Sequence, residues 1–141
     1  MNRHVLFAFI AALLLNFFGG WVVWGIALMD LYQSNSTEAV LALQKEEMEW
    51  VSMIFAQIGW AALLVWVLVK TGSNTARKGA MTAAILGGLI SFSMDLFFHA
   101  SMDWYANVYI IVIDIVVNIV FAALVGALVG WILGKGSTAA A

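Results

Sequence analysis

The chain has 141 residues, of which 65% are hydrophobic and 10% are charged, and its formal net charge is −2. It contains no proline and no cysteine, and its mean hydropathy is +1.01. This composition excludes an ordinary soluble domain, and the missing cysteines exclude disulfides, thiolate metal sites and thiol chemistry. We therefore predict an integral membrane protein.

Four apolar segments follow one another along the chain, at about 5–29, 50–69, 79–100 and 107–133. Each reaches or exceeds the ~20 residues that a helix needs to cross the hydrocarbon core. The first segment follows Arg3 as a signal peptide would, but it is too long and no cleavage site precedes Asp30. We predict an all-α membrane protein, a single domain built as a four-transmembrane-helix bundle.

Basic residues concentrate on one side of this layout. They are Arg3, Lys70, Arg77, Lys78 and Lys135, and Lys45 is the basic residue of the other side. The positive-inside rule then places both termini in the cytoplasm, and we predict the bacterial inner (plasma) membrane. The outer side carries the acidic residues Asp30, Glu38, Glu46, Glu47, Glu49 and Asp103. Their clustering predicts a negative outer surface.

The connections differ in length. The outer loop 30–49 is long, and Ser36 or Thr37 before Glu38 is typical of a helix start, so we predict that this loop is partly helical. The outer turn near 101–106 is short, which makes the third and fourth segments antiparallel neighbours. Aromatic residues near the outer boundary are interpreted as interface anchors. They are Trp24, Tyr32, Trp50, Trp104, Tyr105 and Tyr109.

Small residues recur every four positions on the third and fourth segments. One stripe is Gly79, Ala83, Gly87 and Ser91, and the other is Ala122, Gly126, Gly130 and Gly134. Membrane helices associate through such close packing, so we predict that the two stripes meet. The predicted pairs are Gly79 with Gly134, Ala83 with Gly130, Gly87 with Gly126, Ser91 with Ala122, Asp95 with Asn118 and His99 with Asp114. Dimerisation through the same groove is the alternative.

Polar residues of all four segments fall at one depth in the outer half, and we predict that they form a ligand- or ion-binding site. They are Asp95, His99, Asp114, Asn118, Gln57 and Asn16. One interpretation is a hydrogen-bonded plug that sets helix register. Another is a proton or cation site, since two carboxylates share a low-dielectric pocket. A third is a metal site on Asp95, His99 and Asp114, which lack a metal signature. We predict no metal site and no cofactor.

Short motifs carry a resemblance to a group of known proteins. They are NFFGG at 16–20, WG at 24–25, GG at 87–88, MDL at 94–96 and DIVVN at 114–118. In these motifs the chain resembles the small four-helix bacterial inner-membrane proteins of unknown function. The resemblance covers most of the chain and implies the same fold, and it brings no assigned activity.

Together these features predict a non-enzymatic membrane protein with a small-ligand or ion-binding site near its outer face. The alternatives are a proton- or cation-coupled small transporter and an accessory subunit of a larger membrane complex. The expected partners are the lipid bilayer and either a second copy or a larger membrane complex. We predict no nucleic-acid partner. We also predict no nucleotide, since 130–137 lacks the spacing of a phosphate loop and follows no strand.

Overall fold

A computed structural model describes residues 3–138. Four helices in this part of the chain are long and apolar enough to cross a membrane. They are α1 (Arg3–Ala27), α4 (Trp50–Lys70), α5 (Ala76–Ser101) and α6 (Val108–Thr138). Two short helices, α2 (Met29–Asn35) and α3 (Glu38–Ala42), lie between α1 and α4. The predicted all-α architecture with four membrane-length helices is confirmed, and residues 3–138 contain no strand beyond one isolated bridge.

The long helices alternate in direction, so the chain has two distinct ends. We call the end that holds Arg3, Lys70 and Lys135 the basic end, and the opposite end, with Asp30 and Asp103, the acidic end. The core lies towards the basic end, where small residues let α1 approach α4 and α6. Its buried members are Ala8, Ala12, Ala61, Leu64, Val65, Leu68, Ala83, Val125 and Val129.

Helix α1 is irregular in its second half. It has π-helical segments at Leu15–Gly19 and Val23–Ala27, separated by one short α-helical stretch. Each π turn adds a residue and so rotates the following side chains around the helix axis. Gly19 packs on α6 so closely that a Cβ there would lie 2.9 Å from Cε2 of Phe121. The chain then bends at Leu28, whose φ of −112° is not helical, before α2 begins.

The small-residue stripes of α5 and α6 face each other, but the predicted pairing is wrong by one helical turn. A Cβ added at Gly87 would lie 2.6 Å from Cβ of Ala122, and one added at Gly126 would overlap Cβ of Ala83. Gly130 lies against Gly79, since a Cβ on Gly130 would lie 3.0 Å from Cα of Gly79. Two further four-residue steps along each helix, starting from Gly87 and Ala122, bring Asp95 to Asp114.

The connection between α4 and α5 occupies the place that the predicted pairing assigned to Gly79. The Asn74 carbonyl oxygen lies where a Cβ of Gly134 would be, and the Ser73 carbonyl oxygen would lie 3.1 Å from a Cβ of Gly130. Gly134 therefore packs against this connection rather than against α5. The backbone of α5 and the backbone of the α4–α5 connection both pack directly against glycines of α6. Only glycine leaves room for such close contacts, because it has no Cβ.

Hydrogen bonds tie α2 and α3 to the α5–α6 connection at the acidic end. Thr37 accepts a bond from the backbone N–H of Val40 (3.4 Å), as an N-cap does, and its Oγ1 donates to the carbonyl of Asp103 (2.7 Å). The Asn35 side chain is buried and accepts from Asn107 Nδ2 (3.0 Å) and Tyr109 Oη (2.8 Å). These bonds hold the outer loop over the end of the hairpin.

Candidate ligand-binding site

Asp114 of α6 is the most strongly hydrogen-bonded side chain of this region. Its Oδ1 accepts from Tyr32 Oη at 2.5 Å and from Trp24 Nε1 at 3.2 Å, and its Oδ2 accepts from Asn118 Nδ2 at 2.8 Å. A carboxylate anion is an acceptor only, and three donors around it match that role. Because the donors come from α1, α2 and α6, this one group connects three elements.

Asp95 of α5 lies beside Asp114. Its Oδ2 accepts from Ser91 Oγ at 2.9 Å, and its carboxyl group is close enough to that of Asp114 for the two to interact directly. No lysine, arginine or histidine of the described chain forms an ion pair with either carboxyl group. The two helices therefore bring two acidic groups together without a basic partner.

A cavity of about 790 Å³ opens beside Asp114, between α1, α4 and α6, and we call it the aromatic cavity. Its polar wall residues are Asn16, Gln57, Asp114 and Asn118. The remaining wall is mostly aromatic, with Phe17, Phe18, Trp21, Trp24, Trp50, Trp60 and Phe121, beside Met48 and Met53. A volume of this size, with apolar walls and a few convergent polar groups, is typical of a small-molecule site.

Asn16 is the unsatisfied group of this cavity. Its side chain is 4% exposed, and its amide nitrogen has no hydrogen-bond partner among residues 3–138. Leaving a buried donor unpaired costs about 1–3 kcal/mol, so such groups call for an explanation. Asn16 lies in the first π-helical segment of α1, a type of irregularity that occurs often at functional sites.

A second cavity, of about 380 Å³, lies on the acidic-end side of Asp114, and we call it the outer cavity. Its wall includes Tyr32, Tyr105, Trp104 and Met102. Trp24 and Asp114 line both cavities. The hydrogen bond between these two side chains therefore stands in the partition that separates the aromatic cavity from the outer one.

Two tyrosines outside the long helices are kept in their neutral form. Burial raises the pKa of Tyr105 to about 12, and the negative charges of Asp114 and Asp95 add to this effect. Burial also raises the pKa of Tyr32 far above its ordinary value, with a further contribution from its hydrogen bond to Asp114. Their ring centroids are 6.1 Å apart. Tyr32 therefore remains a hydrogen-bond donor to Asp114 at any physiological pH.

The structure brings together most of the predicted site residues. Asn16, Gln57, Asp114 and Asn118 line the aromatic cavity, and Asp95 reaches Asp114 from the neighbouring helix. Gln57 makes a weak contact of 3.9 Å from Nε2 to the sulfur of Met53. All four long helices thus contribute a polar group to this region.

His99 is the exception. It is exposed on α5 and has no hydrogen bond within the described chain, so the predicted pairing of His99 with Asp114 is wrong. The one-turn difference in register explains this, because it places Asp95 beside Asp114 and carries His99 beyond it. Among residues 3–138 there is also no group of three or more His, Asp or Glu side chains arranged to hold a metal ion.

Trp24 and Tyr32 are site residues that the sequence analysis treated only as interface anchors. Both donate to Asp114. The signal that could have identified them is the requirement of a deep carboxylate for donors, since indole and phenol groups at its depth are natural candidates. The sequence alone does not show which aromatic side chains turn inwards.

Comparisons with protein families, with characterised proteins and with solved structures find no match to this chain.

Proposed function

We propose that this protein is a non-enzymatic, multi-pass protein of the bacterial inner membrane that binds a small amphiphilic ligand in the aromatic cavity. The observation that carries the proposal is Asn16, a buried amide donor without a partner in the wall of a cavity of about 790 Å³. A ligand with an acceptor oxygen would satisfy this donor while its apolar part contacts the aromatic wall.

The entry route is the outer leaflet of the bilayer. With both termini in the cytoplasm, as the distribution of basic residues favours, the aromatic cavity lies in the outer half of the membrane. Trp21 is 60% exposed and Trp50 is 58% exposed, and both belong to the cavity wall. A cavity whose aromatic rim faces lipid suits a ligand that first partitions into the bilayer.

The ionisable groups of the cavity wall favour a binding role over catalysis. Asp114 is the one ionisable side chain among the described wall residues, and it already accepts three hydrogen bonds. General acid–base catalysis needs an ionisable group that can exchange a proton with a molecule in the cavity, and a nucleophile needs an activating base beside it in the same wall. Asp95 adjoins Asp114 but is not part of the wall.

The proposal is tested by photolabelling of the purified protein with a neutral diazirine-bearing alkyl alcohol. We expect saturable labelling of α1 and α4 at the aromatic cavity, with competition by unlabelled octanol. Gly20→Leu should abolish it, because Gly20 lines the cavity and a Cβ there meets nothing closer than 3.9 Å. Gly59→Leu is the matched control, since Gly59 faces open space. Unsaturable labelling spread over all lipid-facing surfaces would contradict the proposal.

A second candidate is a proton- or cation-coupled small transporter. The observation that favours it is the partition between the two cavities, formed in part by Trp24 and Asp114. In proteoliposomes a carrier would show a pH-dependent flux that Asp114→Asn or Asp95→Asn abolishes while the protein stays folded. For an accessory subunit of a larger membrane complex, the same substitutions would lower the recovery of a partner and affect no flux.

A further inference from the structure

We infer that the ligand of the aromatic cavity is a lipophilic organic cation, with an ammonium group at one end and a hydrogen-bond acceptor at the other. This inference rests on the proposed binding function and names the chemical class that the site accepts. Three observations carry it: the charge beside the cavity, the aromatic wall, and the spacing along α1 between Asn16 and Trp24.

The first observation is that two acidic side chains lie beside the cavity without a basic partner among residues 3–138. Asp114 faces the cavity as an acceptor of three hydrogen bonds, and Asp95 stands directly behind it. The described chain supplies neither carboxyl group with a basic partner. Charges within the membrane normally pair, because a lone charge in a low-dielectric region is costly. A cationic ligand supplies the missing positive charge, and an anionic ligand would add to the repulsion.

The second observation is the chemistry of the wall. Four tryptophans line the cavity, namely Trp21, Trp24, Trp50 and Trp60. Indole faces attract ammonium groups, and the attraction is strongest where water is excluded. The described wall contains no lysine, arginine or histidine that would repel a cation. An aromatic wall with one carboxylate at its end therefore selects positive charge on an apolar body.

The third observation is the spacing along α1 between Asn16 and Trp24, the residue that donates to Asp114. Trp24, which donates to Asp114, follows Asn16 by eight residues on α1, about 10 to 12 Å along the helix. The unpaired amide nitrogen of Asn16 is a donor, so it requires an acceptor such as a carbonyl, ether or hydroxyl oxygen. The two groups thus match opposite ends of a molecule about as long as this stretch of α1, on the order of 10 Å.

The test compares two photoprobes that share one diazirine-bearing alkyl chain, one ending in a trimethylammonium group and the other in a hydroxyl group. In the wild-type protein the ammonium probe should reach half-saturation at a concentration at least tenfold lower than the alcohol. Asp114→Asn should remove this preference, and saturable labelling of this variant by the alcohol, at whatever concentration half-saturation falls, shows that the cavity still forms. Asp103→Asn is the matched control, because Asp103 is exposed and belongs to neither cavity.

Asp95→Asn provides a second variant in case Asp114→Asn does not fold. It leaves the three hydrogen bonds of Asp114 in place and should reduce the preference several-fold, because it removes a nearby negative charge. Equal half-saturation of the two probes in the wild-type protein, or a preference that both substitutions leave intact, would overturn the inference. Saturable labelling by neither probe would instead overturn the proposed binding function itself.

Discussion

At the scale of single residues, Asn16 and Asp114 show two opposite ways of placing a polar group inside a membrane bundle. Asp114 is satisfied by three donors from three elements, whereas the amide nitrogen of Asn16 has no partner in the described chain. The first arrangement stabilises the fold, and the second costs free energy. The ligand proposed for the aromatic cavity would supply the acceptor that the Asn16 amide lacks.

This contrast yields a prediction about stability. Asn16→Leu should raise the free energy of unfolding by about 1 kcal/mol, because it replaces an unpaired donor with an apolar side chain of similar size. It should also weaken labelling by the ammonium probe. Asn118→Leu is the matched control and should lower stability, since Asn118 donates to Asp114 at 2.8 Å. Thermal unfolding in detergent measures both. Destabilisation by Asn16→Leu as large as that by Asn118→Leu would show that Asn16 has a structural partner.

At the scale of helices, the stripes show how far periodicity predicts packing. The sequence analysis identified which faces of α5 and α6 meet, and the residues at their contact are small as expected. It did not identify the register, because a pattern that repeats every four residues still pairs small with small after a shift of one turn. The non-repeating parts decide between the registers. These are the α4–α5 connection on Gly130 and Gly134, and the carboxyl groups at the other end.

The same contact makes glycine at position 126 necessary. Gly126→Ala should lower the free energy of unfolding by about 1–3 kcal/mol, because its Cβ would overlap Ala83 and the Gly79 backbone. Gly59→Ala, in open space on α4, should leave stability unchanged or raise it slightly. Thermal unfolding together with the oligomeric state in detergent distinguishes packing from dimerisation. If Gly126→Ala changed only the oligomeric state, the stripe would be a surface for a second copy.

At the scale of the whole molecule, the acidic end is closed by groups that are far apart in the chain. Tyr32 and Tyr105 lie over the two carboxyl groups, and the backbone N–H of Thr37 donates a hydrogen bond of 3.2 Å to the carbonyl oxygen of Trp104 in the outer turn. This closure ties α1 and α2 to the α5–α6 hairpin. It depends on neutral phenols, because a phenolate would face two acidic groups.

Stability should therefore fall at alkaline pH. The pKa of Tyr105 is about 12 in the folded protein and about 10 in an unfolded chain. Because the pKa is higher in the folded protein, the contribution of the neutral Tyr105 phenol to the free energy of unfolding is complete below pH ~10. This contribution is lost as the pH rises from ~10 to ~12. Melting temperatures across this window should decline less steeply in Tyr105→Phe than in the wild-type protein. Identical slopes in the two proteins would show that Tyr105 is not the group that titrates.

The sequence by itself determined the membrane class, the number of long helices, the small-residue faces and the set of polar residues that share one depth. These properties follow from composition, segment length and helical periodicity, which are local. Only the tertiary structure decided that Asp95 rather than His99 meets Asp114, that Trp24 and Tyr32 turn inwards, and that a cavity opens beside them. Those outcomes depend on register, on the π turns of α1 and on contacts between distant segments, for which a repeating apolar pattern allows several solutions of similar energy.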